Sequence, residues 1–365
     1  MRAALLETPG RPVEIVDDVD LADPGPGRVR VRVSHCGLCH SDLSILDGVF
    51  PAPLPIVTGH EAAGVVDAVG PDVVGLEPGD SVVLTPCPSC GRCYWCVRGE
   101  PALCSDSIGI QTNAFPDGTT GLSRRGATVY RGLNVAGFAE YTVVPESGAV
   151  KIDPDVPLEV ACVLGCAVQT GVGAVLNTAG VEEGATVLVM GLGGVGLSVV
   201  QGARVAGASR ILVSDPVADR REAAVGFGAT DCLDPAEGDV AAWAREQTGV
   251  GVDYAFDTAG RSALIQAGFH AARNGGSIVC VGAPPIDEGI DIAPAALLTI
   301  SEKKLLGCVL GSSHGRREIP RLLSLWRAGH LDLEGLVTHR RPLEEINLAA
   351  EDLRAGRGIR TVLEV

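Results

Sequence analysis

The segment TVLVMGLGGVG (186–196) decides the fold, because it joins an apolar strand directly to a glycine-rich turn. Its first six residues have the apolar and β-branched composition of a strand that is buried inside a sheet. The turn that follows has the form GxGxxG, and the residues after Gly196 favour a helix. A strand, a tight glycine turn and a helix in this order predict the start of a βαβ unit.

The chain after this unit repeats its pattern. Apolar strands alternate there with helical stretches, in RILVSD (210–215), DYAFDTAG (253–260) and GSIVCVG (276–282). The alternation predicts an α/β fold with a doubly wound parallel sheet that helices cover. Further on, the sequence predicts two amphipathic helices and a final strand, in IPRLLSLWRAG (319–329), LEEINLAAEDLRAG (343–356) and RTVLEV (360–365).

The first 150 residues have a different texture, in which short β-branched runs alternate with Gly/Pro turns. Examples are RVRVRVS (28–34), EAAGVVDAVG (61–70) and DSVVLTP (80–86). Such runs predict an antiparallel or barrel-like β domain. Segment 105–137 is polar and rich in Gly, Thr and Arg, and we expect it to form a long surface excursion.

The glycine-rich turn indicates a dinucleotide site. Gly191, Gly193, Gly194 and Gly196 permit a tight turn and a close approach of the backbone to a pyrophosphate at the helix N-terminus. Asp215 ends the next predicted strand, 19 residues beyond Gly196. A carboxylate there can accept hydrogen bonds from ribose hydroxyls and would repel a 2′-phosphate, which favours NAD. The alternative is an ordinary glycine-rich turn with an aspartate that caps a helix.

A dense group of cysteines indicates a structural metal site. Cys90, Cys93, Cys96 and Cys104 lie within fifteen residues, in a segment punctuated by glycine and proline. Four sulfur ligands without an open position form a closed tetrahedral zinc site, which stabilises a fold. The competing metal group is an iron–sulfur cluster. Cys87 is a fifth thiol that such a site does not need.

A second, dispersed group has the composition of a catalytic metal site. Its members are Cys39, His60 and Cys166, which lie in three separate parts of the sequence. Two thiolates and one imidazole would leave a fourth zinc position for water or a substrate oxygen. Cys36 and Cys39 also form a CxxC pair, but the thioredoxin-like context of a redox pair is absent.

Together these segments point to a family. CGLCHSD (36–42), GHEAAG (59–64), CGRCYWC (90–96) with Cys104, and GLGGVG (191–196) resemble the zinc-containing medium-chain alcohol dehydrogenases, over essentially the whole chain. The texture is closest to the dimeric liver-type and formaldehyde-dehydrogenase-like branches. The resemblance implies a GroES-like β-barrel catalytic domain (1–167 and 312–365), a Rossmann NAD-binding domain (168–311), two zinc ions per chain and a homodimer.

The resemblance also implies roles for single residues. Cys39, His60 and Cys166 match the ligands of the catalytic zinc, and the four clustered cysteines match those of the structural zinc. The other matches are Ser41 (first acceptor of the alcohol proton), Asp42 (carboxylate that orients the ligand imidazole), Glu61 (carboxylate behind the zinc), His40 and Arg360 (coenzyme pyrophosphate), Thr170 and Val195 (packing behind the nicotinamide), and Asp215 with Arg220 (adenosine ribose).

Two positions depart from the family pattern. The formaldehyde-dehydrogenase branch has an arginine four residues after the last structural cysteine, where it receives a carboxylate of the glutathione adduct. This chain has Ile108 there, so we expect weak or absent oxidation of that adduct. Liver-type enzymes end the proton relay with a histidine five residues after the first zinc cysteine. This chain has Ser44 there.

Composition narrows the function classes further. A net charge of −16 would repel a nucleic-acid backbone, and no apolar run reaches the length of a membrane span. The first residues do not form a signal peptide, and we expect a cytoplasmic enzyme that acts on a small alcohol or aldehyde. Three alternatives remain: a zinc-free quinone reductase, a non-catalytic zinc- and dinucleotide-binding sensor, and a variant that keeps its NAD bound.

Overall fold

A computed structural model of the protein describes residues 1–292 and 294–365, and the side chain of Ile108 also lies outside the described part. The expectation built on the Ile108 side chain therefore falls outside the described residues. The chain forms two compact units, a first unit of Met1–Ala167, His314–Arg327 and Leu333–Val365 and a second unit of Val168–Ser313 and Ala328–Asp332. The predicted catalytic domain included residues 312–313 and 328–332, which lie with the second unit.

Both units combine short strands with helices. In chain order, the strands are β1 (Ala3–Leu6), β2 (Glu14–Val16), β3 (Val19–Leu21), β4 (Arg28–Leu38), β5 (Ile56–Val57), β6 (Glu61–Val69), β7 (Ser81–Leu84), β8 (Leu122–Arg124), β9 (Ala127–Arg131), β10 (Tyr141–Pro145), β11 (Ala149–Lys151), β12 (Thr186–Met190), β13 (Arg210–Ser214), β14 (Asp231–Leu233), β15 (Val252–Asp257), β16 (Ala272–Cys280), β17 (Lys304–Gly307), β18 (Val337–Pro342) and β19 (Arg360–Glu364). The α-helices are α1 (His40–Leu46), α2 (Tyr94–Val97), α3 (Gly109–Thr112), α4 (Leu158–Ala161), α5 (Ala167–Gly173), α6 (Gly194–Val205), α7 (Ala218–Phe227), α8 (Val240–Thr248), α9 (Ser262–Ala271), α10 (Ala295–Ser301), α11 (Gly315–Arg327) and α12 (Ile346–Arg354). A π-helix spans Ala174–Ala179, and short 3-10 turns span Pro101–Leu103, Ser105–Ile108, Gly132–Asn134, Glu146–Gly148, Cys162–Gly165, Leu310–Ser312, Glu334–Leu336 and Leu343–Glu345.

The first unit is built on two sheets. One has the strand order β2-β1-β5-β9-β8-β3, and the other has the order β11-β7-β6-β4-β19-β18 with β10 paired to β4. The central strand β4 confirms the predicted run at 28–34, since Val29, Val31 and Val33 alternate into the core while the arginines between them face outward. The last strand, β19, pairs antiparallel with β4, so that Arg360 arrives beside the end of β4.

The second unit contains a six-stranded sheet with the order β14-β13-β12-β15-β16-β17, and every pairing in it is parallel. Its first strand, β12, lies at the centre, and the chain winds outward from it in both directions. This order confirms the predicted doubly wound sheet. The sequence predicted a helix after Gly196, but α6 already begins at Gly194, inside the glycine motif. Gly193 is extended and caps the helix, so the change from strand to helix occurs there.

The prediction of a surface excursion at 105–137 is wrong. Strands β8 and β9 lie within that segment and belong to the first sheet. Phe115 is 3% exposed, and the side chain of Arg131 is among the largest fully buried ones in the described chain. The polar composition of the segment was misleading, since this arginine is buried through contacts with an aromatic ring and backbone carbonyls.

The helices of residues 1–292 and 294–365 include none that could span a membrane by itself. No single helix there is long and apolar enough, and the stretches Leu158–Gly165 and Ala167–Ala179 pass that test only as a bent pair.

Candidate active site

Cys39 is placed by the junction of β4 and α1. Strand β4 ends at Leu38 and α1 begins at His40, so Cys39 is the residue that caps the helix N-terminus. Its N–H donates to Asp42 Oδ2 at 3.1 Å, which satisfies one backbone donor of the first turn. The Ser41 hydroxyl is half-buried and lies 4.0 Å from Cys39 Sγ. The start of α1 therefore holds a buried sulfur with a hydroxyl beside it.

Asp42 joins α1 to the loop that carries His60. Its Oδ1 accepts the N–H of Gly59 at 2.9 Å and lies 3.1 Å from His60 Nδ1, which donates to it. Burial lowers the pKa of His60, but the charge and hydrogen bond of Asp42 outweigh that effect and raise it well above its usual value. The imidazole is thereby fixed with Nε2 3.3 Å from Cys166 Sγ. This is the carboxylate–histidine arrangement common at metal sites.

The structure brings Cys39, His60 and Cys166 together. One ligand atom from each lies within 4.8 Å of the others, and all three residues are at least nine-tenths buried. A hydrogen bond from Cys166, with lesser contributions from Arg360 and His60, lowers the pKa of Cys39 well below its usual value. Two sulfurs and one imidazole nitrogen suit zinc, and three ligands leave one position open. The donor set therefore fits a catalytic zinc ion.

A buried carboxylate lies next to these ligands. Glu61 Oε1 accepts the N–H of Ala167 at 2.7 Å, and burial raises the pKa of Glu61 to about 7. Gly37 makes the room, since a Cβ there would lie 2.2 Å from Glu61 Oε2. Arg360 Nε lies 3.2 Å from Glu61 Oε2 and its Nη1 donates to Leu38 O at 2.7 Å. The contact of Arg360 with a coenzyme pyrophosphate stays a prediction.

The four clustered cysteines also converge. Their sulfurs lie within 4.8 Å of one another, and Cys93 and Cys104 are 3.8 Å apart, close to the edge of about 3.8 Å expected for zinc–sulfur bonds of about 2.3 Å. Backbone N–H groups of Ser105 and Cys96 lower the pKa of Cys93 to about 5. The N–H groups of Cys90 and Asp106 both donate to Cys104 Sγ. This cluster fits a closed four-thiolate zinc site.

Cys87 does not join that cluster. It is buried, and burial raises its pKa to about 12. This placement agrees with the expectation that the zinc site does not need a fifth thiol.

The glycine-rich turn of the second unit has the shape of a pyrophosphate cradle. A Cβ on Gly196 would lie 1.9 Å from Gly191 O, whereas a Cβ on Gly193 would meet nothing within 4 Å. Gly191 itself has a φ of 93°. The first and third glycines therefore allow close packing, and the second leaves the backbone open to a ligand. Asp215 accepts the N–H of Leu192 at 2.7 Å, which ties the predicted ribose carboxylate to the turn.

The other predicted coenzyme residues lie where their sequence positions put them. Thr170 is buried in α5, Val195 is half-buried in α6, and Arg220 is half-buried in α7. His40 is exposed on the first turn of α1. Their contacts with a coenzyme stay predictions.

Thr258 is a residue at the turn that sequence patterns did not reveal. Its Oγ1 donates to Gly191 O at 2.7 Å and also lies 3.1 Å from Met190 O. A signal was available, because Thr258 follows the strand DYAFD, and the carboxyl ends of adjacent parallel strands meet at one edge of a sheet. Sequence spacing alone did not show that β15 neighbours β12.

Comparisons with known proteins point to the same chemistry. Residues 25–154 match the family model described as alcohol dehydrogenase GroES-like domain, and residues 194–327 match the one described as zinc-binding dehydrogenase. S-(hydroxymethyl)glutathione dehydrogenase of Escherichia coli O1:K1 is 40% identical over 367 aligned residues, which cover 99% of both chains. This chain belongs to the zinc-dependent alcohol dehydrogenases.

Solved structures agree with that assignment. The benzyl alcohol dehydrogenase of Acinetobacter calcoaceticus is 34% identical with a TM-score of 0.94, and covers 100% of this chain and 99% of its own. An alcohol dehydrogenase zinc-binding domain protein from Burkholderia ambifaria is 37% identical with a TM-score of 0.93, and covers 100% and 98%. This alcohol dehydrogenase is therefore an oxidoreductase, and its predicted fold class, a GroES-like domain with a Rossmann domain, is confirmed.

Proposed function

We propose that this alcohol dehydrogenase uses NAD and a zinc ion held by Cys39, His60 and Cys166 to oxidise alcohols reversibly to aldehydes or ketones. The observation that carries the proposal is the convergence of two thiols and an oriented imidazole in one buried site. Three protein ligands are the number that leaves zinc an open position. When bound, zinc supplies Lewis acidity that lowers the pKa of a substrate hydroxyl, and the nicotinamide supplies the hydride acceptor.

The side chains around the three ligands have separate roles in this proposal. The Ser41 hydroxyl accepts the proton that the alcohol loses and passes it outward. Asp42 keeps the imidazole in the tautomer that presents Nε2 to the site. Glu61 and Arg360 form a buried ion pair beside the ligands, which adds no net charge to the site.

Metal analysis and a substrate screen test the proposal together. We expect two zinc ions per chain, one in each cysteine-containing cluster, and NADH formation with members of a panel of primary, secondary, terpenoid and aromatic alcohols. One zinc ion per chain after gentle purification, or no turnover with any alcohol, would contradict it. Assaying NAD released on denaturation separates a freely exchanging coenzyme from one that stays bound.

The preference for NAD rests on Asp215. Its carboxylate is 4% exposed at the end of β13 and accepts N–H groups of both Leu192 and Val217, so it is fixed beside the glycine turn. A 2′-phosphate at the adjacent ribose would face this negative charge. We expect Asp215→Gly to shift the ratio of specificity constants toward NADP. Equal use of both coenzymes by the wild type would contradict the assignment.

We propose that the substrate is a free alcohol and not a glutathione adduct. Position 108 holds an isoleucine where the adduct-binding arginine of the family would stand. In the same segment, 105–137, Arg124 and Arg125 are the candidate cations that could bind a glutathione carboxylate instead. Both already bind Asp18, at 2.6 and 3.0 Å, and Arg124 also binds Glu7 at 3.0 Å. We expect the specificity constant for S-hydroxymethylglutathione to fall well below that for the best free alcohol, and the reverse order would show that another cation receives the adduct.

We also propose that two copies associate through the edge of the parallel sheet. Strand β17 is an edge strand, and exposed apolar side chains lie on it and in the segments that precede and follow it in the sequence: Ile286, Ile290, Leu297, Leu298, Ile300, Leu305 and Val309. An apolar edge strand is a liability that monomers avoid, and a second copy would cover it. Light scattering should report a dimer, and Ile300→Glu with Leu305→Glu should shift it toward the monomer.

A cytoplasmic location completes the proposal. None of the twelve cysteines is paired in a disulfide, and the six proposed zinc ligands among them must be reduced to bind the metal, which suits a reducing compartment. Cell fractionation with an antibody to the chain tests it.

A further inference from the structure

Arg131 is an unusual residue for a protein interior. It is 1% exposed, and no carboxylate among the described residues forms an ion pair with it. Burial lowers the pKa of Arg131 to about 9, so it remains charged at neutral pH. A buried charge without a counter-ion is costly, and such groups are retained where their hydrogen bonds serve a purpose.

The guanidinium of Arg131 binds a strained turn. Its Nη2 donates to the carbonyl oxygen of Asn134 and, at 2.9 Å, to that of Val143. The turn follows at once from β9, and Leu133, Asn134 and Ala136 have φ values of 52°, 67° and 56°. Left-handed backbone is unfavourable for residues that carry a Cβ. The arginine therefore fixes a conformation that Leu133 and Ala136 do not favour by themselves, although asparagine tolerates it.

The same turn lies against the loop that carries His60. Strands β5 and β9 are parallel neighbours, with Val57 opposite Arg131. Beyond them, the N–H of Gly137 donates to Gly59 O at 2.7 Å, and the N–H of Phe138 donates to Thr58 O at 3.0 Å.

The contact between these two backbones leaves no spare room. A Cβ on Gly59 would lie 2.7 Å from Phe138 N, and a Cβ on Gly132 would lie 2.9 Å from Thr58 Cα. A shift of the turn would therefore move the backbone next to His60.

We propose that Arg131 is a positioning residue for the metal site: it fixes the turn Gly132–Ala136, which sets the position of Thr58, Gly59 and the ligand His60. The inference rests on the proposed role of His60 as a zinc ligand. Arg131 touches neither the ligands nor the substrate. It acts through the backbone contact between the two segments.

The chain offers a matched control. The guanidinium carbons of Arg28 and Arg131 lie 3.7 and 3.9 Å from the centre of the Phe115 ring, so both cations contact the same ring. Arg28 also binds Asp117 and Thr119, but none of its described hydrogen bonds reaches the turn Gly132–Ala136. Arg28→Met thus removes a cation from the same ring without touching the turn.

The test compares Arg131→Met and Arg28→Met with the wild-type holoenzyme. Zinc release into an excess of a chromogenic chelator gives one rate for each ion, and cobalt(II) substitution gives the absorption spectrum of the three-ligand site. We expect Arg131→Met to release one zinc ion at least about tenfold faster and to change the cobalt spectrum, with a smaller effect on the other zinc ion, whose segment contacts the turn through the side-chain amide of Asn134. Arg28→Met should match the wild type in both measurements.

The outcomes separate this inference from the proposed function. A wild-type chain with one zinc ion removes the proposed function itself. Two zinc ions in the wild type, with Arg131→Met behaving like Arg28→Met, overturns the positioning role alone.

A second variant covers the case in which Arg131→Met does not fold. Arg131→Lys keeps the charge but cannot reach both carbonyls with a planar fork, so we expect the same faster release. If neither variant folds, the inference is also overturned, because Arg131 would then support the whole domain and not this turn.

Discussion

The two cysteine-containing clusters of this enzyme are built in opposite ways. Cys90, Cys93, Cys96 and Cys104 come from fifteen consecutive residues, and the described donors to their sulfurs are mainly backbone N–H groups. Cys39, His60 and Cys166 come from three distant segments, and buried carboxylates surround them. The first cluster is partly exposed and the second is buried.

This difference teaches what a closed and an open metal site each need. A four-thiolate site can rely on the local backbone, since any residue other than proline leaves the N–H donors in place. An open site has one ligand fewer, so it depends on residues that orient the ligands without binding the metal. Substitutions of non-ligand residues should therefore affect the second cluster much more than the first.

The largest expected effect is a loss of turnover when the three-ligand cluster is disrupted. We expect Cys39→Ala to reduce turnover to background, to lower the zinc content from two ions to one, and to leave the fold intact. The three-ligand site cannot hold zinc well with two ligands, while the rest of the domain keeps its core. Zinc analysis, circular dichroism and NADH formation check this, with the exposed, non-ligand Cys232→Ala as control. Turnover above background in the Cys39 variant would contradict the assignment.

The next largest effect is a loss of stability when the four-cysteine cluster is disrupted. Cys93→Ala should also leave one zinc ion per chain, but it should lower the free energy of unfolding by at least about 3 kcal/mol, because a structural metal contributes directly to folding. Turnover per folded molecule should stay within about twofold of the wild type. Thermal unfolding and active-site titration measure the two quantities. Lost turnover at unchanged stability would mean that the roles of the clusters are reversed.

A smaller effect concerns the carboxylates near each cluster. Asp42→Asn removes the charge that orients His60, and we expect about 10- to 100-fold weaker zinc binding at the three-ligand site. Asp106→Asn is the matched control, because Asp106 supports the four-cysteine cluster through its backbone N–H, which the substitution keeps. Competition with a metal chelator measures both affinities. Equal losses of zinc affinity in the two variants would contradict the proposed difference between the two clusters.

The sequence predicted the parallel sheet well, for reasons that particular residues show. The run TVLVM is buried on both faces, so composition alone identified β12. Gly191 and Gly196 are needed where the backbone is crowded, so the motif predicted the turn. The four-cysteine cluster could also be predicted from the sequence, because its ligands lie close together in the chain. The three-ligand cluster was proposed from its ligand types, but only the family resemblance supported the grouping, since no local pattern joins Cys39 to Cys166.

The sequence did not predict the burial of Arg131. A polar, arginine-bearing segment favours exposure on average, and the contacts that reverse this expectation are long-range. The ring of Phe115 and the carbonyl of Val143 come from segments whose proximity depends on the strand order of the first sheet. Composition cannot reveal such contacts.

The smallest expected effect lies at residue 44, five residues beyond Cys39. The half-buried Ser44 cannot act as a base near neutral pH, so it can relay a proton only through hydrogen bonds. We therefore expect Ser44→Ala to leave the rate of hydride transfer nearly unchanged. Ser41→Ala should slow it by roughly 100- to 1,000-fold, toward the lower half of the range for general acid–base catalysis, since water can substitute in part. Single-turnover NADH formation measures both.

Ser44→His sharpens the comparison, because it adds a titratable end to the relay that the open site otherwise lacks. Histidine loses its proton between about pH 6 and 8, and only the neutral imidazole can accept the alcohol proton. In this variant the rate of hydride transfer should therefore rise with pH across that window, more steeply than in the wild type. If Ser44→Ala instead slows the reaction as much as Ser41→Ala does, the relay ends at Ser44, and the departure from the family pattern changes the residue but not the pathway.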